Sequence, residues 1–251
     1  MVKFLSRRFG AQLAAALLGI GLAGPSLAGT AYWTVWTAAD PANGTATGII
    51  TLPDASTVTV TFTALNADGT SGDFLAAFTT ANPDWHGWSD FSSDYLSSTV
   101  ATIPGNTMLQ LVGGENETYH VTLSAPIVGP LMDVVSLGAN GTNTHYDFNA
   151  PFTILSQGGD YWGGCSTCLT QFGNDLIGNE GSGTIQFNGT YSEFDWTVPT
   201  GEYWHGFTFG IETTQALQQQ QQQNTVPEPG SALLAALALG GMAAAGRMRR
   251  R

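Results

Sequence analysis

The aromatic residues of this sequence are the ones best suited to bind a ligand. The flat face of an indole or phenol can stack on the apolar face of a sugar, provided that the ring reaches solvent. Four aromatic residues fall in predicted loops and form a candidate carbohydrate-binding set. Packing inside a core is the commoner use of such side chains, so exposure decides between the two roles. The set is Trp85, Trp88, Tyr161 and Trp162.

Three aspartates in one predicted loop form a candidate calcium site. Asp84, Asp90 and Asp94 lie close together in sequence, with Ser89 and Ser92 among them. Calcium prefers several oxygen ligands, and no basic residue competes for these carboxylates. The spacing does not match an EF-hand loop, and a solvated acidic loop is the alternative. The sequence predicts no cofactor, and a structural calcium is the one candidate.

The two cysteines are separated by two residues, at Cys165 and Cys168. In an exported chain this spacing predicts a local disulfide. Thioredoxin-like redox motifs share the spacing but begin a helix in a βαβ unit, a context that we do not predict here. A zinc site would need further ligands that the sequence does not place.

No established catalytic motif is present: Gly-x-Ser-x-Gly, His-Glu-x-x-His and glycine-rich phosphate loops are all missing. The histidines are scattered, although His86 and His205 both lie in Trp-His-Gly and would form a metal pair if their loops met. Hydrogen bonding among aromatic residues is the alternative for both. We therefore predict a protein that is not an enzyme.

A secreted carbohydrate-active hydrolase is the alternative function. Its site would be assembled from dispersed carboxylates such as Glu180, Glu202 and Glu212. Glycoside hydrolysis needs two carboxylates on either side of the scissile bond, about 5–9 Å apart. Glu193 and Asp195 share a predicted strand face, but Val198 stands where a second catalytic carboxylate would be expected.

Positive charge is confined to the two ends of the chain. Lys3, Arg7 and Arg8 precede the first apolar run, four arginines end the chain, and no Lys or Arg lies between Gly29 and Gly246. The formal net charge of −12 therefore understates the acidity of the central part. Because phosphates are bound mainly by Lys and Arg, this pattern excludes nucleic acid as a partner.

The sequence between the two ends predicts short β-strands and no amphipathic helix. The segment 57–63 alternates strictly, which places Val58, Val60 and Phe62 on one face. About ten such strands, with long loops at 66–73, 82–98 and 159–182, predict a single antiparallel β-sandwich of jelly-roll type. Asn-Gly-Thr recurs at Asn43, Asn140 and Asn188 and predicts tight turns between antiparallel strands.

The outward threonines of segment 57–63 are similar to those of ice-binding arrays. Such arrays need rows of threonine on several adjacent strands, and the sequence shows one convincing row. The exteriors of β-sandwiches are commonly rich in threonine as well. An ice-binding or adhesive surface is accordingly the second alternative function.

Residues 1–28 have the features of a secretory signal peptide. A basic start is followed by an apolar stretch at 11–23, and Ser26-Leu27-Ala28 supplies the small residues that a signal peptidase reads. This predicts cleavage after Ala28. The acidic sandwich domain then occupies residues 29–213, and a glutamine-rich linker occupies 214–225.

The C-terminal residues combine a rigid tetrapeptide, a short apolar stretch and an arginine cluster. Val226, Pro227, Glu228 and Pro229 precede the apolar residues 232–246 and the final arginines. In this order they resemble the PEP-CTERM sorting signal at 226–251. That resemblance implies a transmembrane helix recognised and removed by an exosortase in the envelope of a Gram-negative bacterium, with membrane contact only before processing. An ordinary C-terminal anchor is the alternative.

The central domain is itself similar to a group of PEP-CTERM proteins that have no established activity. This second resemblance implies a common fold and destination, and it brings no functional residues. We therefore expect a surface or extracellular-matrix protein of structural or binding type that associates with exopolysaccharide. The resemblance rests on residues 32–37, 48–50, 151–156, 161–164, 180–187 and 204–208.

Overall fold

The computed structural model describes residues 29–79, 88–105, 107–114, 116–139, 141–142, 144–159 and 168–212. Within these ranges the chain forms β-strands and two short 3-10 helices, at Pro41–Asn43 and Ser92–Asp94. The predicted all-β class is confirmed. The strands are β1 (Tyr32–Trp33), β2 (Val35–Asp40), β3 (Thr45–Thr51), β4 (Thr57–Leu65), β5 (Ala76–Phe78), β6 (Met108–Leu111), β7 (Thr118–Val128), β8 (Leu131–Leu137), β9 (His145–Phe148), β10 (Phe152–Gly159), β11 (Leu169–Phe172), β12 (Asp175–Gly178), β13 (Gly181–Phe187), β14 (Thr190–Thr197) and β15 (His205–Ile211).

The strands form two antiparallel sheets. Sheet I has the order β10-β13-β8-β15-β6-β5, and β1 also pairs with β15. Sheet II has the order β11-β12-β9-β14-β7-β4-β3-β2. Every pairing between these strands is antiparallel, as predicted.

An aromatic core lies between the inner faces of the two sheets. Strand β4 buries Val58, Val60 and Phe62 as its alternation predicts, and leaves its threonines on the outer face. Aromatic rings of sheet II contact those of sheet I: the centroids of Phe62 and Phe207 are 5.6 Å apart. Two sheets that share one core in this way have the arrangement of a β-sandwich.

A third layer covers the outer face of sheet I. Residues 88–105, which we call the covering segment, bury Trp88 and Tyr95 against Met108 and Val135. The segment is also bonded to the N-terminal end of the domain, because Thr102 accepts a 2.9 Å hydrogen bond from the Ala31 N–H. The predicted long loop at 82–98 is therefore, over its described residues, a packed part of the domain.

The predicted loop at 159–182 is wrong in part. Strands β11 and β12 form a hairpin inside it, and β13 begins at Gly181. Strands β11 and β12 have four residues each, too few for alternation to be recognised in the sequence. Such short strands also explain why the structure holds fifteen described strands where about ten were predicted.

The Asn-Gly turns have two different roles. Asn43 and Gly44, with Gly44 at φ 61°, join the hydrogen-bonded neighbours β2 and β3, as predicted. Asn188 and Gly189 instead join β13 of sheet I to β14 of sheet II, so a hairpin prediction is wrong there. Asn140 lies outside the described residues, in a connection that also crosses between the sheets.

The predicted signal peptide, glutamine-rich linker and sorting tail all lie outside the described residues. Over the described ranges no helix is both long enough and apolar enough to span a membrane.

Candidate functional site

Several predicted site residues lie outside the described part of the chain. They are Trp85, Tyr161 and Trp162 of the sugar-binding set, Asp84 of the calcium set, Cys165, and Val226, Pro227, Glu228 and Pro229. Their roles stay predictions.

The structure contradicts the assignment of Trp88 to a sugar-binding surface. Its side chain is fully buried, and its ring meets that of Tyr95 edge-on, with centroids 5.1 Å apart. The covering segment uses Trp88 to seal the apolar outer face of sheet I, where Met108 and Val135 lie. A ring enclosed in this way has no free face for a sugar.

The two described aspartates of the predicted calcium loop have different environments. Asp90 is exposed, whereas Asp94 packs over the backbone of Gly158, where any added side chain would collide with its carboxyl group. Burial raises the pKa of Asp94 above its usual value. Among the described residues, no three His, Cys, Asp or Glu side chains are grouped to hold a metal ion. Calcium binding by this loop therefore depends on Asp84 and stays a prediction.

Cys168 is buried at the entry to β11 and is disulfide-bonded. Its backbone carbonyl accepts a 3.0 Å hydrogen bond from the Asn179 N–H, which ties this loop to the start of β13. The pairing with Cys165 stays a prediction because that residue lies outside the described ranges.

A cleft opens at one end of the sandwich, which we call the cleft end. Loops between β2 and β3, β4 and β5, and β6 and β7 meet there, and the Phe74 N–H donates to the Pro41 carbonyl at 3.1 Å. The cleft has a volume of about 490 Å³. Its lining residues are Pro41, Ala42, Asp73, Phe74, Leu75, Val112, Gly113, Glu117 and Tyr119.

Glu117 holds the floor of this cleft together. Its Oε1 accepts a 2.8 Å hydrogen bond from the Asp73 N–H, and its Oε2 accepts one of 3.1 Å from the Tyr119 hydroxyl. The residue is only 5% exposed. Both oxygens are thus used to fix the loops, whereas the side chain of Asp73 remains exposed at the cleft.

The rim of the cleft is apolar and aromatic. Leu75 is 47% exposed, Val112 is 38% exposed and Tyr203 is 89% exposed. The backbone of Tyr203 lies near the Val112 wall, because the N–H of the preceding Glu202 donates to the Val112 carbonyl at 2.9 Å. Tyr203 and Asp73 were not predicted as site residues, since nothing in their local sequence shows that their loops converge.

A buried carboxylate supports the loops behind the rim. Glu202 accepts hydrogen bonds from the Gly138 N–H at 2.8 Å and the Ala139 N–H at 2.6 Å. Tyr146 packs against His205 in the same region, with ring centroids 5.2 Å apart. Burial raises the pKa of the Tyr146 phenol well above its usual value, and the charges of Glu202 and Tyr119 raise it further. These groups are enclosed between the sheets and support the site without reaching it.

The three carboxylates of the hydrolase alternative do not come together. Glu180 and Glu202 lie at the cleft end, where the backbone of Gly138 bonds to both residues. Glu212 follows the end of β15, whose first residue, His205, pairs with the last residue of β6 at the cleft end. Glu212 therefore lies at the opposite end of the sandwich.

The outer face of sheet II carries threonine rows that cross several strands. One row pairs Thr47 with Thr61 and Thr61 with Thr122, and ends at Glu193. The next row passes from Thr45 through Thr63 to His120 and ends at Asp195. His120 Nδ1 contacts the Asp195 carboxylate, and the Asn149 Nδ2 donates to the same carboxylate at 3.0 Å.

Comparison with known proteins identifies the C-terminal end of the chain. Residues 225–251 match the model of the PEP-CTERM protein-sorting motif, in agreement with the prediction for 226–251. Neither the curated proteins nor the solved structures contain a match to this chain. The similarity of the central domain to other PEP-CTERM proteins stays a prediction. The motif implies processing by an exosortase and export to the envelope of a Gram-negative bacterium. The chain therefore carries a PEP-CTERM sorting motif at its C-terminal end.

Proposed function

We propose that the exported domain is a non-enzymatic surface or matrix protein that binds exopolysaccharide at the cleft end. Signal peptidase removes residues 1–28, and the apolar helix near the C-terminus anchors the chain in the inner membrane until the exosortase acts. The observation that carries the proposal is Tyr203, a tyrosine 89% exposed whose neighbour Glu202 bonds to Val112 in the wall of a cleft lined by carboxylates.

The composition of the cleft suits a sugar. Glycan hydroxyl groups donate hydrogen bonds to carboxylates, and Asp73 offers an exposed carboxylate at the cleft. Leu75, Val112 and Tyr203 supply the apolar surface on which the C–H face of a sugar ring packs. Ligand sites typically combine such an apolar lining with a few polar groups that fix orientation.

The charge of the domain selects among glycans. No Lys or Arg lies between Gly29 and Gly246, so a polysaccharide rich in uronic acid is repelled. A neutral glycan avoids this repulsion, and one that bears protonated amines is attracted.

Binding is favoured over hydrolysis because the buried carboxylates are already hydrogen-bonded to the protein itself. Glu117 and Glu202 each accept two hydrogen bonds from the protein itself. A catalytic acid or nucleophile has to reach the glycosidic bond, which these oxygens do not. Of the three carboxylates of the hydrolase alternative, Glu212 lies at the other end of the domain.

A glycan array with the purified exported protein tests the proposal, with and without calcium. Neutral, amino-bearing and uronic-acid glycans are compared. We expect binding to neutral or amino-bearing glycans, weakened about tenfold or more by Tyr203→Ala, which corresponds to about 1.4 kcal/mol. Phe172→Ala is the matched control, since Phe172 is an aromatic residue 77% exposed beside the β11–β12 turn.

Two results would contradict the proposal. Equal loss of binding in Tyr203→Ala and Phe172→Ala would remove the cleft end as the site. Release of reducing sugar from any glycan, abolished by a carboxylate substitution, would favour the hydrolase alternative instead.

A second candidate function rests on the threonine rows of sheet II. Repeated hydroxyl and methyl groups about 4.8 Å apart across strands offer a regular surface to ice or to another ordered lattice. Sheet twist of about 20° per strand works against flatness over several strands. Measurement of ice recrystallisation separates the candidates: Thr61→Lys should abolish an inhibition that Thr153→Lys on sheet I leaves unchanged.

The fold itself supports one finer proposal. At most of its connections the chain crosses from one sheet to the other, and this supports a jelly-roll winding of the sandwich. An experimental structure of the whole domain, including 80–87 and 160–167, tests the winding.

A further inference from the structure

A row of hydroxyl and carboxyl side chains crosses the outer face of sheet I beneath the covering segment. Register pairs Ser156 with Thr184, Thr184 with Asp133, and Asp133 with Thr208. Asp133, Thr184 and Thr208 are each 0% exposed. Asp133 is the only ionisable residue in the otherwise apolar sequence Leu-Met-Asp-Val-Val of β8.

Thr184 stands between Asp133 and the covering segment. Its Oγ1 lies 2.6 Å from Asp133 Oδ1 and 3.0 Å from the main-chain carbonyl oxygen of Tyr95. Both neighbours are hydrogen-bond acceptors if Asp133 is ionised. A threonine hydroxyl has one proton to donate. The two contacts can therefore both be hydrogen bonds only if the Asp133 carboxyl group donates the other proton.

The electrostatics of the site favour the same proton placement. An ionised Asp133 would be a fully buried charge whose Oδ2 has no hydrogen-bond partner among the described residues. The domain contains no Lys or Arg that could compensate it. Burial accordingly raises the pKa of Asp133 well above its usual value, against a smaller lowering by Thr184.

Over the described ranges, the elements packed around Asp133 supply no cation. The covering segment brings Asp94 and Tyr95 to this face, and the neighbouring strands bring Ser156, Thr184 and Thr208. Asp94 is an acid whose pKa is itself raised by burial. Ionisation of Asp133 would thus add a negative charge to a face that already holds an acid.

We propose that Asp133 is a neutral carboxylic acid that donates its proton to Thr184, which in turn donates to the Tyr95 carbonyl and locks the covering segment onto sheet I. Loss of the proton turns Thr184 towards the carboxylate and breaks its bond to the segment. The lock is therefore closed below the folded-state pKa of Asp133 and opens as the pH rises through it.

The sign of the pH effect follows from the proton count. Between the unfolded-state pKa of an aspartate, about 3.9, and the raised folded-state pKa, the folded protein holds one proton that the unfolded chain has released. In this window each pH unit raises the unfolding equilibrium constant about tenfold. The stabilisation is complete below the window and is lost by its upper end.

The test compares the purified exported protein with Asp133→Asn over this pH range. An asparagine amide keeps the shape and still donates to Thr184, but it has no proton to lose. We expect the wild-type unfolding constant to rise about tenfold per pH unit relative to Asp133→Asn. Asp147→Asn, at an exposed aspartate of β9, is the matched control and should keep the wild-type slope.

Hydrogen exchange locates the opening. At one alkaline pH, amides of the covering segment should exchange faster in the wild type than in Asp133→Asn, and by a larger factor than amides of β7 and β14, which exchange through global unfolding. Equal pH slopes in the two proteins would overturn the proposal, as would an Asp133→Asn variant destabilised equally at every pH.

A measurement on the wild type alone covers the case in which Asp133→Asn does not fold. Carbon-13 spectra of aspartate-labelled protein should show a carboxyl signal that stays protonated at neutral pH and belongs to Asp133. Thr184→Val should raise the pKa of Asp133 further, because it removes the hydroxyl that can donate to the ionised carboxylate, and it should speed exchange in the covering segment. If all aspartate carboxyl groups are ionised at neutral pH, the proposal is wrong.

Discussion

The carboxylate Oε1 of Glu202 lies 2.7 Å from Nδ1 of His205, and neither side chain is more than 2% exposed. The imidazole nitrogen is not aligned for a hydrogen bond to that oxygen. The hydrogen bonds of Glu202 go instead to the N–H groups of Gly138 and Ala139. A carboxylate and a histidine are therefore in contact inside the sandwich. The same carboxylate holds the β8–β9 loop in place by hydrogen bonds.

Substitution of Glu202 by glutamine should loosen this loop. The amide keeps one acceptor oxygen and places an NH₂ group against a backbone N–H, so one buried donor loses its partner. We expect a loss of about 1–3 kcal/mol in the free energy of unfolding, measured in urea. Glu193→Gln, on the exposed face of β14, should change it by less than about 0.5 kcal/mol. Equal stability of the two variants would contradict the structural role of Glu202.

Trp88→Ala should destabilise the protein strongly. Removal of a fully buried indole leaves a cavity against Tyr95, Met108 and Val135, at a cost of about 3–5 kcal/mol. Tyr203→Ala, at an exposed ring, should change stability by about 0.5 kcal/mol or less. Thermal unfolding of both variants checks the contrast, and a Trp88→Ala protein as stable as the wild type would restore Trp88 as a surface residue.

Gly138 and Gly69 form a matched pair for backbone strain. Both have a positive φ, 81° and 80°, where an alanine costs about 1–2 kcal/mol. A side chain at Gly138 would also collide with the carbonyl oxygen of Gly178, whereas nothing lies near the one at Gly69. We expect Gly138→Ala to be the more destabilising substitution by more than about 1 kcal/mol in urea unfolding. Equal losses would place the whole effect in the backbone dihedral.

Salt should stabilise this domain. With no Lys or Arg between Gly29 and Gly246, its carboxylates repel one another, and salt screens that repulsion. The Debye length falls from about 30 Å at 0.01 M to about 8 Å at 0.15 M ionic strength, so the melting temperature should rise over this range. A fall in melting temperature would contradict the argument.

Calcium separates screening from a specific site. At equal ionic strength, a larger rise in melting temperature with calcium than with sodium indicates a bound calcium ion. Asp84→Asn should abolish that difference if the loop of Asp84, Asp90 and Asp94 is its site. Asp54→Asn, in the β3–β4 turn, is the control at another exposed aspartate.

The sequence by itself determined the destination, the charge and the secondary-structure class. These depend on order along the chain: the sorting motif at 225–251 is contiguous, and the inward residues of β4 follow from alternation alone. Lys and Arg can be located without any fold. The four-residue strands β11 and β12 could not be predicted because alternation over so few residues is not distinctive.

Only the tertiary structure decided which side chains face solvent and which polar groups meet. Trp88 and Tyr203 both follow glycine-rich or polar loop sequences, yet one is sealed and the other stands open, because burial depends on what packs over a residue from elsewhere in the chain. Asp133, Thr184 and Tyr95 are far apart in sequence, and antiparallel register with the covering segment brings them into hydrogen-bond contact. Contacts of this kind are set by long-range packing, on which local sequence patterns carry no information.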